Sequence, residues 1–159
     1  MDQIKIVEYS EVFQEFPDEI TLAMNLSRCP NNCPGCHSSY LAGDIGEVLS
    51  IKKIKRLVKD HPGITCLGFM GGDNSPEGIN QLAKEVKQEF PELKVGWYSG
   101  KDYLSEKIDI KNFDYIKIGS YKAEYGPLNK RTTNQKLWKC ENGKLDQDIT
   151  FKFWKEHLA

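Results

Sequence analysis

Three of the five cysteines fall within eight positions: Cys29-Pro-Asn-Asn-Cys33-Pro-Gly-Cys36, with His37 next in line. Thiolates in this C-x3-C-x2-C spacing suit a metal, and iron–sulfur clusters are held chiefly by cysteine. A [4Fe–4S] cluster normally takes four ligands. Three clustered thiolates would leave one iron open to a substrate, the logic by which catalytic metal sites keep a free position. Pro30, Pro34 and Gly35, with the turn-forming Asn31 and Asn32, suit a compact loop around a bulky inorganic core. Two other readings stand beside this one. Cys29, Cys33, Cys36 and His37 match the composition of a structural Cys3His zinc site, although the side chains of adjacent Cys36 and His37 diverge. The three could also be free thiols beside a turn.

A second group is Gly71-Gly72-Asp73, directly after the apolar run ITCLGFM. Paired glycines allow close backbone approach to a ligand, and a carboxylate there can accept a charge-assisted hydrogen bond from an ammonium. The competing reading is a tight strand-to-helix turn, with Asp73 near a helix start for reasons of the helix dipole. Trp97-Tyr98-Ser99-Gly100 ends another apolar run and offers an aromatic and a hydroxyl. Lys117, in YIKI, faces either this edge or solvent. Cys66 sits within an apolar run and reads as inert core. Cys140 reads as an ordinary thiol. Thr132-Thr133-Asn134-Gln135 reads as a polar turn. No acid–base dyad is evident.

The elements that must position these groups follow from pattern. Residues 4–9 (IKIVEY) and 20–26 (ITLAMNL) read as strands, and the cysteine loop follows the second. Ser50 is a good N-cap, and Ile51, Ile54, Leu57 and Val58 recur at helical spacing before His61-Pro62-Gly63. Residues 64–70 form a short continuous apolar run, as in a strand buried on both faces. Ser75 and Pro76 suit an N-cap and first helical position; Ile79, Leu82, Ala83, Val86 and Phe90 continue the stripe until Pro91. Residues 93–98 and 115–118 read as further strands, and Glu141-Asn142-Gly143-Lys144 as a hairpin turn. Alternating strands and helices imply right-handed β-α-β units and a mostly parallel sheet. A closed eight-stranded barrel takes about 250 residues, so 159 residues predict an incomplete, open (β/α) barrel in one domain spanning 1–159. Ligands of such sheets bind at the carboxyl ends of the strands, where the cysteine, Gly-Gly-Asp and Trp-Tyr-Ser-Gly loops should converge.

Composition excludes several classes. The chain carries 22 Lys and Arg against 23 Asp and Glu, so no nucleic-acid footprint is visible. No apolar run reaches the roughly 18 residues of a membrane span, and the first residues lack a signal-peptide layout. The expected location is the cytoplasm, where thiols stay reduced and crowded cysteines point to metal before disulfides.

The cysteine spacing on a loop after an early strand resembles the signature of radical S-adenosylmethionine (radical SAM) enzymes. The short chain, the Cys-Pro-Gly-Cys-His run, the Phe-Met-Gly-Gly-Asp run and the late Thr-Asn-Gln segment narrow the likeness. From about residue 18 to about 138 the chain resembles the family of activating enzymes of anaerobic ribonucleoside-triphosphate reductase. The resemblance implies an incomplete barrel of the radical SAM type, a [4Fe–4S] cluster on Cys29, Cys33 and Cys36, and S-adenosylmethionine as co-substrate. It places S-adenosylmethionine contacts at Gly35, Cys36 and His37, partly through backbone, and brings the co-substrate's amino group to Gly71, Gly72 and Asp73. It further implies a glycyl radical made on the reductase and a low-potential electron donor such as flavodoxin. Two positions depart from the pattern. Gly35 stands where many radical enzymes carry an aromatic residue, leaving only backbone for an adenine contact. Asp73 stands where Gly-Gly-Glu is common, with shorter reach. The alternatives are an activase of another glycyl-radical enzyme and a non-catalytic Cys-rich metal-binding module.

Overall fold

The computed structural model describes residues 3–27, 29–30 and 39–154. Among these residues eight strands form one sheet: β1 (Lys5–Val12), β2 (Thr21–Leu26), β3 (Glu47–Val48), β4 (Cys66–Met70), β5 (Lys94–Tyr98), β6 (Tyr115–Ile118), β7 (Lys136–Glu141) and β8 (Lys144–Asp148). Two helices, α1 (Ile51–Asp60) and α2 (Pro76–Glu89), complete the main elements. The strand order is β3-β1-β2-β4-β5-β6-β7-β8.

The sheet is mixed rather than mostly parallel. Its centre, β2-β4-β5-β6, is parallel. The other four of the seven pairings are antiparallel. The reason lies in the connections. Only β4-α2-β5 and the long link from β2 through α1 to β4 contain a crossover helix. The β5–β6 link returns to a parallel strand with just a short 3-10 turn, Ile110–Asn112, while β1–β2 and β7–β8 are joined by loops short enough for antiparallel return. The hairpin turn falls at Asn142-Gly143, both at positive φ.

The helices begin where capping chemistry places them. Ser50 Oγ accepts from the Lys53 amide at 3.3 Å and Ser75 Oγ from the Gly78 amide at 3.2 Å, each satisfying a donor left open in the first turn. Ile54 and Leu57 of α1 and Ile79, Leu82, Ala83 and Val86 of α2 are buried. They pack on one face of the sheet with Leu22, Met24, Leu67, Phe69, Val95, Trp97 and Ile116.

Strand alternation turns the neighbouring residues to the other face, where Phe16, Cys66, Tyr115, Leu137 and Ile149 cluster with Met70 and Tyr98 against them. Phe16, from the β1–β2 loop, is wholly buried. Its ring lies where side chains at Gly68 and Gly96 would project: a Cβ would fall 2.9 Å from it at Gly68 and 2.3 Å at Gly96. Polar ties hold this loop under the sheet. Tyr98 Oη donates to the Glu15 carbonyl, Tyr115 Oη to Glu19 at 2.7 Å and Thr65 Oγ1 to Glu19 at 2.8 Å. Among the described residues no helix is long and apolar enough to cross a membrane.

Candidate iron–sulfur and co-substrate site

The parallel strands end in register: Asn25 pairs with Met70, Met70 with Tyr98, and Tyr98 with Lys117. The loops that follow therefore leave from one edge. These are the cysteine segment after β2, Gly71-Gly72-Asp73 after β4, Ser99-Gly100 after β5 and Gly119-Ser120 after β6.

The cysteine segment is pinned at its base. The Ser27 amide donates to the Lys5 carbonyl at 3.0 Å and Ser27 Oγ to the Ile45 carbonyl at 2.6 Å. The Cys29 amide donates to the Leu41 carbonyl at 3.0 Å, and Cys29 is half-buried. Cys33, Gly35, Cys36 and His37 lie outside the described residues. Cys66 and Cys140 are elsewhere. Cys66 lies at the amino end of β4, paired with Thr21, and Cys140 lies on β7. Burial pushes both thiols up to about 12, which keeps them protonated and poor ligands.

Gly71 and Gly72 adopt φ of +113° and +89°, a region open to glycine but strained for residues with Cβ. The two differ in surroundings. A Cβ on Gly71 would meet Leu26 at 3.4 Å or more, an ordinary contact. One on Gly72 would lie 2.4 Å from Ile79 Cδ1 and 2.7 Å from Cγ1. The missing side chain at Gly72 thus makes room for the core.

The glycine loop is tied to the end of β5. Trp97 Nε1 donates to the Gly71 carbonyl at 2.6 Å, and the Gly71 amide to the Tyr98 carbonyl at 3.1 Å. Asp73 is buried at 8% exposure. It accepts from Ser99 Oγ at 2.6 Å and from the Gly100 amide at 2.7 Å. Asp73, Pro76, Trp97, Ser99 and Leu104 line part of a cavity of about 440 Å³. A cavity of about 670 Å³ lies at the opposite end of the strands, beside Lys94, Asp114 and the hairpin turn, away from every loop that carries candidate chemistry.

Lys117 and the late polar segment, which the sequence left without roles, both join this edge. Lys117 is 7% exposed. Its Nζ donates to the carbonyls of Ser99 and Gly119 at 2.8 and 2.9 Å and sits 5.6 Å from the centre of the Tyr98 ring. Asn134 Nδ2 donates to the Ser120 carbonyl at 3.0 Å, and Gln135 packs on Gly119, where a Cβ would fall 2.8 Å from its Cα. The Gly119 amide donates to the Lys101 carbonyl at 2.7 Å.

Asp102 closes the network. The Ser120 amide and hydroxyl donate to its Oδ1 at 2.9 and 3.0 Å, and these bonds hold its carboxyl below the usual carboxylate range, with Lys122 and Lys117 adding smaller effects. A depressed carboxyl stabilises the fold above its unfolded value, and the contribution disappears as pH falls through the folded value. Asp102→Asn is therefore expected to lower stability at neutral pH by more than at about pH 3. Urea titrations at the two pH values check this; an equal loss at both would remove Asp102 from the pH response.

A protein-family model described as "4Fe-4S single cluster domain" matches residues 20–137, a span that contains the cysteine loop and all four loops of the edge. No curated protein and no solved structure matches the chain. With a family model covering most of its length, a C-x3-C-x2-C run that follows β2 in the sequence and its remaining two thiols buried, the chain belongs to the 4Fe–4S single cluster domain family of iron–sulfur proteins.

Proposed function

We propose that this iron–sulfur protein is a radical SAM activase that cleaves S-adenosylmethionine and generates a glycyl radical on anaerobic ribonucleoside-triphosphate reductase. The observation that carries the proposal is the register of the parallel strands, which sends the cysteine segment and the Gly71-Gly72-Asp73 loop from adjacent strand ends. A metal centre and a ligand-accommodating backbone on one edge suit a co-substrate that must touch both. The eight-stranded sheet, open between β3 and β8, is read here as the incomplete barrel of that superfamily, with the chain as one domain.

Cys29, Cys33 and Cys36 would hold the cluster. The donor set fits: three thiolates suit iron–sulfur ligation and leave one iron to a substrate. A [4Fe–4S] cluster held there would supply the single electron that reductive cleavage of the carbon–sulfur bond of S-adenosylmethionine needs, with methionine and a 5′-deoxyadenosyl radical as the expected products. Gly71 would offer backbone with no side chain in the way, Gly72 would present its backbone beside it, and Gly35, Cys36 and His37 would add contacts from the cysteine loop. The protein's work is placement and exclusion of water. An open edge needs a cover during turnover. A partner loop carrying a glycine would serve as both cover and substrate, since a residue without Cβ enters a narrow opening. The electron would come from a low-potential donor such as flavodoxin, in the cytoplasm.

The test mixes reduced protein, S-adenosylmethionine and the reductase without oxygen and records electron paramagnetic resonance. The expected result is a glycyl-radical doublet that vanishes when the reductase glycine is changed to alanine. Co-substrate cleavage with no radical on the reductase would move the assignment to another glycyl-radical enzyme. A cluster with no cleavage would leave a non-catalytic iron–sulfur module.

A further inference from the structure

Asp73 stands at the meeting point of two loops, and what it grips is protein. One carboxylate oxygen receives the Ser99 hydroxyl at 2.6 Å and the other the Gly100 amide at 2.7 Å. Ser99 itself is 2% exposed. From the β6 side, Lys117 Nζ donates to the Ser99 carbonyl at 2.8 Å, and the Ser99 amide returns a bond to the Lys117 carbonyl at 2.9 Å. The dipeptide Ser99-Gly100 is thus held between a carboxylate on the β4 loop and an ammonium on β6. Both grips are charge-assisted, and the bonds to the Ser99 hydroxyl and carbonyl are buried, the setting in which hydrogen bonds are strongest.

We propose that Asp73 is a positioning residue. It works through Ser99 and Gly100, fixing the β5 loop against the glycine loop in the arrangement that S-adenosylmethionine meets, rather than by receiving the co-substrate's ammonium itself. The part of this that concerns S-adenosylmethionine rests on the proposed function; the clamp does not. The chemistry favours it because a carboxylate only accepts. Turning Asp73 toward a ligand would strip the Gly100 amide and the Ser99 hydroxyl of their acceptor inside the fold, and buried donors left unpaired are costly. An asparagine could keep the Gly100 bond through its oxygen and replace the Ser99 bond by a reversed one, its amide donating to Ser99 Oγ. An alanine can keep neither.

Two measurements separate the roles. In protein without co-substrate, hydrogen exchange at the Gly100 amide should quicken by about tenfold in Asp73→Ala and stay near wild type in Asp73→Asn. Unchanged exchange in Asp73→Ala would overturn the clamp. In cluster-loaded protein, S-adenosylmethionine affinity should fall by about tenfold in both Asp73→Ala and Ser99→Ala. The double variant should be no worse than Asp73→Ala, and Asp73→Asn should recover most of the loss. Wild-type affinity in Ser99→Ala, with Asp73→Asn as weak as Asp73→Ala, would overturn the positioning role in favour of direct contact. If the wild-type protein binds no S-adenosylmethionine, the proposed function fails, and the Gly100 exchange rate still decides the clamp. Should Asp73→Ala not fold, Asp73→Leu, which fills a similar volume without an acceptor, carries the exchange test, with the same quickening expected at Gly100.

Discussion

Serine at Cys29, Cys33 or Cys36 will abolish the iron–sulfur absorbance of anaerobically prepared protein and bring its iron content close to zero, whereas alanine at Cys66 or Cys140 will leave both intact. The first half follows from ligand number. Three thiolates share one cluster, and a hydroxyl is a poor substitute for a soft sulfur donor. The second half follows from placement. Cys66 begins β4, four residues or about 13 Å of strand before the carboxyl edge. Its thiol is fully buried and, like that of Cys140, pushed up to about 12 by burial. Neither is a thiolate at neutral pH, and metal binding requires one. Iron analysis and the visible spectrum of the five variants decide the matter. A normal cluster in Cys33→Ser, or its loss in Cys140→Ala, would overturn the ligand assignment.

Gly72→Val will act on the fold before it acts on any ligand. Valine at φ +89° strains the backbone by about 1–3 kcal/mol. Its Cβ would also meet Ile79 at 2.4 Å and Leu26 at 3.3 Å. Ile79, on the inner face of α2, is wholly buried, so it has little room to retreat, and overpacking adds about 1–3 kcal/mol. Together these are a large part of the 5–15 kcal/mol by which domains are ordinarily stable, about as much as a single change removes. Gly71→Ala shares the backbone strain without the clash and should cost clearly less. Urea denaturation of both variants checks the order. Wild-type stability in Gly72→Val, with only weaker S-adenosylmethionine binding, would contradict the core role given to this position.

Much of this arrangement was legible in residue order. The serine caps at Ser50 and Ser75, the apolar stripes behind them and the continuous run 64–70 fix both helices and the parallel centre through local rules. Strand-then-loop order was enough to place the cysteine, glycine and Ser99 loops on one edge, since parallel strands end together. What was not legible depends on partners distant in sequence. β3 is only Glu47–Val48, too short for any period, and exists because Lys5 and Ile6 pair with it. β1 runs on to Val12 through the polar Ser10 and Glu11 because β2 lies beside it. The link after β5 carries no crossover helix, and residues 101–106 show no apolar stripe that would have announced one. Lys117 is buried because carbonyls from two loops converge on its ammonium, which no pattern around YIKI foretells. The bonds of Asp73 were hidden for the same reason: their donors, Ser99 and Gly100, are 26 and 27 residues away.

The Phe16 ring beneath the sheet makes three distant positions mutually dependent in evolution. A side chain at Gly68 or Gly96 collides with that ring, and a smaller residue at 16 leaves a void over two bare stretches of strand. Each single step away from this combination passes through an overpacked or hollow core, both destabilising. Drift at these sites must therefore be concerted: a lineage that gains alanine at 96 has to shrink or move the aromatic at 16 first. The short β1–β2 loop, which supplies that one buried ring, is in that sense less free to vary than its appearance suggests.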